Sequence, residues 1–330
     1  MKTHNNRLLI FTAILALLSA SACSLPKVTL FGGTAQPLQE ITLQGKEKGK
    51  VLVLNVEGII SSMPRRQFLR SEPSMVQQVA AYLKHAEKDP DIKALLLKVD
   101  SPGGSVTASD IIYHEISGYK SRTGVKVVVA MMNVAASGGY YISLPADHIM
   151  CHPTTITGSI GVIFMHTGVN DLMDKVGVRI DINKSGKQKD MGSPFRKPTP
   201  EEEAIFQGLT DNLADRFLDL VEQHRRLDPE QRRQIETARV YLPEKAKALG
   251  LVDQIGYLDD AIDKAKALAG LPGDARVIAY RRQPRPNDTI YNPTAVAPSG
   301  DLTAMLPLMA PLSTTWDADF YYIWPAAMGR

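Results

Sequence analysis

Apolar and polar positions along the chain fall into two alternating kinds of stretch. Short, nearly unbroken apolar runs predict strands buried on both faces. They are "KVLVLNVEG" from Lys50, "IKALLLKVD" from Ile92, "VKVVVAMMN" from Val125 and a shorter one around "HIMCH". Between them, Ser74 to Lys88 carries Val76, Val79 and Leu83 at helical spacing and stops at Asp89-Pro90. Thr107 to Tyr119 predicts a second helix, and the residues after Ser137 a third. Strand and helix alternate four times, which predicts an α/β domain with a largely parallel sheet. Ligands on such sheets gather at the carboxyl ends of the strands. Both "DSPGG" at 100–104 and "NVAASGG" at 133–139 follow directly on apolar runs, so that shared placement predicts a single site.

Beyond the alternating region, "VRIDI" reads as a further strand. "TPEEEAIFQGLTDNLADRFLDLVEQHRR" opens with a helix start at Thr199-Pro200 and acidic first-turn residues. Ile205, Leu209, Leu213, Phe217 and Leu220 recur along it at helical spacing and predict a packing face. Two short helices around a glycine turn follow, from Pro243 to Gly270. After Arg276 the chain turns Pro-rich and weakly patterned, so 283–315 reads as a linker or loose tail. The aromatic end, "DADFYYIWPAAMGR", suits either docking to a neighbour or packing on its own domain. The expected organisation is a signal peptide (1–22), a linker (23–48), a chemistry-bearing domain (49–270) and a tail (271–330).

Composition narrows the class. Of 330 residues, 44% are apolar and 22% charged, with a net charge of +3, which is globular and long enough for one large domain. Charges of both signs are mixed and no basic block stands out, which argues against a nucleic-acid partner. Lys2 and Arg7 precede an apolar run from Leu8 to Leu18 and then Ala20-Ser21-Ala22-Cys23. The run is short for a membrane span and reads as an export signal. Cleavage after the A-x-A site and lipidation of Cys23, as in a bacterial lipobox, give the same mature terminus; an uncleaved anchor is the third reading. Cys151 is then left unpaired and reads as a buried core thiol, and His148 and His152 beside it match no zinc spacing.

Small residues crowd one hydroxyl, Ser137, which sits between Ala135-Ala136 and Gly138-Gly139. If a helix starts there, its first N–H groups are unpaired and can face a developing oxyanion. A serine needs a base to act as a nucleophile. The G-x-S-x-G elbow is absent, because position 135 is alanine. His114, His148, His152 and His166 are candidate bases, and Lys184, Lys187 and Lys189 are alternatives that would need a lowered pKa. The "SPGG" stretch, Ser101 to Gly104, serves either as a plain strand-to-helix turn or as a strip of backbone N–H and C=O groups for an extended peptide.

"DSPGG", "NVAASGGYYI", "TTITGSIGV" and "KSGKQKDMGSP", in that order, closely resemble the signal peptide peptidase A family of serine peptidases, from about Lys50 to Tyr257. The resemblance implies a fold like that of the Clp protease proteolytic subunit and the crotonases, and a Ser–Lys dyad. Ser137 then matches the nucleophile, Lys189 the general base, and Ser159 the residue that orients the lysine; Gly138, with Gly104 or Gly103, matches the oxyanion donors. No cofactor is implied. The expected activity is hydrolysis of cleaved signal peptides or other unfolded apolar peptides at a membrane surface, on the periplasmic side of a bacterial envelope. Ring- or dome-shaped homo-oligomers are implied as well, in which Ser137 and Lys189 could meet across a subunit boundary. A catalytically silent peptide-binding or membrane scaffold of the same fold is the alternative, against which an intact Ser137, Ser159 and Lys189 argue. A crotonase acting on acyl-CoA conflicts with export, since that cofactor is cytosolic.

Overall fold

The computed structural model describes residues 37–67, 70–282, 288–291 and 319–327. The N-terminal segment with Cys23, and most of the 283–315 stretch, lie outside them. Fourteen strands are described: β1 (Gln39–Gln44), β2 (Glu47–Glu57), β3 (Arg65–Gln67), β4 (Arg70–Glu72), β5 (Ile92–Ser101), β6 (Gly103–Ser105), β7 (Lys126–Ala136), β8 (His148–Cys151), β9 (Ile156–Gly158), β10 (Ile163–Met165), β11 (Val240–Tyr241), β12 (Gln254–Ile255), β13 (Ala275–Arg281) and β14 (Asp319–Ile323). The helices are α1 (Met75–Ala86), α2 (Val106–Thr123), α3 (Gly138–Tyr141), α4 (Asn170–Val176), α5 (Pro200–Arg225), α6 (Pro229–Ile235), α7 (Pro243–Ala248) and α8 (Leu258–Leu268).

The main sheet runs β1-β13-β2-β5-β7-β8-β12, with β9 joining β7 and β11 joining β9. From β13 to β12 every pairing along that path is parallel. The central strands carry β-branched and leucine runs because both of their faces are covered. Leu52, Leu54, Leu95, Leu97, Val127 and Val129 face one core with α1, α2 and α5. Val51, Val53, Ala94, Leu96 and Val128 face a second, smaller one under α8. This is the α/β, largely parallel architecture that the alternation of elements predicts.

Three expectations change. The sheet extends past both ends of the 49–270 unit, because β1 pairs antiparallel with β13 and β13 runs parallel to β2. "VRIDI" forms no strand: Val178, Ile180 and Ile182 alternate as a strand would, yet each is about half exposed. The stripe on α5 packs only in its C-terminal half, where Phe217 is buried; Ile205 and Leu209 stand exposed. Among the described residues no helix is long and apolar enough to cross a membrane.

Candidate active site

β7 runs straight into Ser137, and α3 starts at the next residue. Ser137 takes φ 54° and ψ −117°, a conformation non-glycine residues adopt at a cost of about 1–3 kcal/mol. The corner is therefore a strained strand-to-helix turn, although its sequence is not G-x-S-x-G. The strain is held by neighbours on both sides. Ser137 N donates to Gly158 O at 2.7 Å, and Tyr141 N donates to Ser137 O at 2.9 Å. The Ser137 hydroxyl is buried and has no hydrogen-bond partner among the described residues. A buried, unpaired hydroxyl is costly, so its presence needs a reason other than packing.

The small residues around it admit backbone rather than side chains. A Cβ on Gly139 would lie 2.6 Å from Ser101 O, and one on Gly103 2.7 Å from Gly138 N. Gly103 also has φ 99°. "DSPGG" and "NVAASGG" thus meet, as their shared placement predicts. Asp100 strengthens the join by accepting hydrogen bonds from Asn133 Nδ2 (2.6 Å) and Val134 N (3.1 Å). The Ser159 backbone lies on the other side: Ala136 pairs with Gly158, and Ser159, with φ 52°, donates its N–H to Arg239 O.

The glycine strip is already filled. β14 lies antiparallel to β6, with Tyr321 opposite Ser105, Tyr322 opposite Gly104 and Ile323 opposite Gly103. Its other edge pairs antiparallel with β10. Trp324 N donates to Pro102 O at 2.8 Å, and Trp324 packs with Ala327 on Val134 and Ala136. Tyr322 is buried, stacked 5.0 Å from Tyr141 and donating its hydroxyl to Leu213 O. The aromatic end therefore packs on its own domain, in the lane that the sequence suggests for an extended peptide.

Lys189 makes no hydrogen bond to Ser137, whose hydroxyl meets no donor or acceptor among the described residues. Lys189 stands exposed on the segment between α4 and α5. The histidine candidates are no closer to the task. His152 bonds to Thr154, His166 stacks on Phe206, and burial lowers the pKa of His148, which lies 4.0 Å from Asp253. Cys151 is a buried free thiol pushed up to about 11 by desolvation, so it is chemically quiet. Sequence reasoning missed the ion-pair hub of Asp190, Arg196 and Glu202 beside Lys189. The only sequence signal for it was the clustering of these charges just before the Thr199-Pro200 helix start.

A change at Gly104 would test the strip. A Cβ there would sit 1.9 Å from Ile60 O, against the bridge in which Ile60 N donates to Gly103 O and Ser105 N to Ile60 O. Gly104→Ala is expected to destabilise the fold by about 1–3 kcal/mol and to lower peptide hydrolysis. Thermal denaturation and initial rates measure the two effects; a wild-type rate would remove the strip from the site.

A strained serine corner at the carboxyl end of a parallel strand, faced by a glycine-lined backbone strip, is geometry that suits a serine peptidase of Clp protease-like fold. The Clp protease family model matches residues 62–162, and that of peptidase family S49 matches 120–272. A protein named signal peptide peptidase SppA from Enterococcus faecium is 36% identical over 260 residues, covering 79% of this chain and 74% of that one. One named as a protease from Synechocystis sp. is 36% identical over 72% of this chain and 80% of its own length. Protease 4 of Salmonella typhi is 37% identical over 69% of this chain, which spans 36% of that longer protein. The chain belongs to peptidase family S49, the signal peptide peptidase A family, whose members are serine peptidases working through a Ser–Lys dyad.

Proposed function

We propose that the chain is an endopeptidase for signal-peptide remnants and other unfolded, apolar segments, with Ser137 as nucleophile and Lys189 as general base. The observation that carries this reading is the Ser137 hydroxyl: buried, unpaired and held on a strained corner beside the glycine strip. Lys189 takes the Ser137 proton as Oγ attacks the peptide carbonyl. The resulting ammonium protonates the leaving amine, and water then hydrolyses the acyl-enzyme. Gly138 N–H and a backbone N–H at Gly104 face the oxyanion; the Gly103 N–H is donated to Ser101 Oγ at 3.1 Å. Ser159, one residue beyond the partner of Ala136, orients the lysine. Substrate lies extended between β6 and β10, so Asp319–Ile323 must leave that lane before a peptide enters.

The base comes from a neighbouring copy. Lys189 sits on a segment that displays Leu172, Val176, Val178, Ile180 and Ile182 to solvent, and Ile205 and Leu209 of α5 are exposed as well. So much exposed apolar surface marks a protein contact, and the unpaired period-two run 178–182 suits strand addition. Contact with the neighbour would bury Lys189, and burial favours the neutral lysine that a base requires. A ring of copies closes such head-to-tail contacts. The apolar run from Leu8 to Leu18 and Cys23 support export and attachment to a membrane, facing the periplasm.

The test is cleavage of quenched fluorescent peptides by the chain beginning at Cys23, with one apolar signal-like sequence and one charged sequence. The apolar peptide is expected to be cut with at least a tenfold higher kcat/KM, and a serine-directed phosphonate is expected to label Ser137. Peptide binding without turnover or labelling would instead establish the silent scaffold.

A further inference from the structure

The segment bearing Lys189 is tied together by one guanidinium. Arg196 Nε donates to Asp190 Oδ2 (2.9 Å) and Nη2 to Asp190 Oδ1 (2.8 Å), while Nη2 also reaches the Asp190 carbonyl (3.2 Å). The same group bonds both carboxylate oxygens of Glu202, Nη1 at 2.8 Å from Oε2. Glu202 is 1% exposed and closes the first turn of α5: its Oε2 accepts from Thr199 N at 2.8 Å, and its own N–H donates to Thr199 Oγ1. Lys184 Nζ completes the shell of Asp190 at 2.7 Å. Ser193 N donates to the Asp190 carbonyl and Lys189 N to Gly186 O, so the backbone on both sides of the lysine is pinned.

Two further lysines around the segment are also committed. Lys187 pairs with Glu201, and Lys197 with Asp171 of α4, the helix whose preceding residue Val169 donates its N–H to Pro194 O. The Lys189 ammonium, by contrast, makes no ion pair or hydrogen bond among the described residues. An adjacent carboxylate would normally capture it and stabilise its charged form.

We infer that Arg196 is a positioning residue for the general base, holding Asp190 so that Lys189 meets no anion of its own segment. The arrangement denies Lys189 a counter-ion in two ways. It occupies the oxygens of the carboxylate next in sequence, and it balances that carboxylate with two cations, Arg196 and Lys184. Held by them, the Asp190 carboxyl lies well below the usual carboxylate range, and Glu202 is lowered to about 2 by Arg196. Both therefore stay ionised across the working pH range. This inference rests on the assignment of Lys189 as base.

The experiment is the pH dependence of kcat/KM for three variants of the assembled enzyme. The acid limb of that profile reports deprotonation of the base in the free enzyme. Arg196→Gln releases Asp190 toward Lys189 and is expected to move the limb up by about one pH unit. Asp190→Asn leaves the Arg196–Glu202 pair and the α5 start intact, so it folds, and is expected to move the limb down. A purely structural role would lower the rate without shifting the limb in opposite directions. Limbs unmoved in both variants, with Lys189→Ala inactive, would overturn the positioning role while leaving the base assigned. Activity surviving in Lys189→Ala would overturn both.

Discussion

Replacing Ser137 by alanine is expected to cut kcat by roughly 10⁴-fold or more while leaving the fold intact. The two halves of this expectation have separate causes. Activity is lost because the attacking oxygen is gone, and the oxyanion N–H groups alone sustain only a small remnant of catalysis. Stability is kept because the hydroxyl makes no hydrogen bond that the mutation could break. Removing a buried unpaired hydroxyl relieves a desolvation cost, so the variant should melt at or slightly above the wild-type temperature. The positive φ remains for alanine, so the corner stays strained and its neighbours must still hold it. Initial rates on a quenched peptide and a thermal melt decide both points. More than one per cent residual activity would place the nucleophile elsewhere, and a large drop in melting temperature would make Ser137 a packing residue.

What the sequence could reveal depended on whether a segment is buried by its own chain. β2, β5 and β7 read clearly because both faces of each are covered, leaving unbroken apolar runs. The ends of β5 and β7 were legible for the same reason, and with them the meeting of "DSPGG" and "NVAASGG". β1 was illegible: it is an edge strand whose residues are mostly half-buried or exposed. β13 is buried, yet its seven residues open a Pro-rich stretch that hides them. β14 is five residues long and pairs with β6, more than two hundred positions earlier, a partnership no local pattern encodes. "VRIDI" and the first half of the α5 stripe failed in the opposite sense. Their periodicity is real, but nothing among the described residues covers them. Periodicity records that a face is to be buried and is silent about which molecule buries it.

That distinction yields the second large effect. Ser137→Ala and Lys189→Ala chains are each expected to be inactive alone, and mixing them after dissociation and reassembly should restore activity. In a randomly mixed assembly, half the sites keep the serine and half of those face an intact lysine. About a quarter of the wild-type rate should return if each site takes its base from the next copy around a head-to-tail ring. If both groups came from one chain, every site would lack one of them and the mixture would stay inactive. The exposed surface of the base segment gives a control. Charged substitutions at Val178 and Ile180, which are about half exposed, should leave the chain folded because they touch no core. They should nevertheless abolish both assembly and hydrolysis, as read by sedimentation and peptide turnover. A monomeric but fully active double variant would return Lys189 to its own chain. It would also require the loop to swing inward, past the strand that now fills the lane beside Ser137.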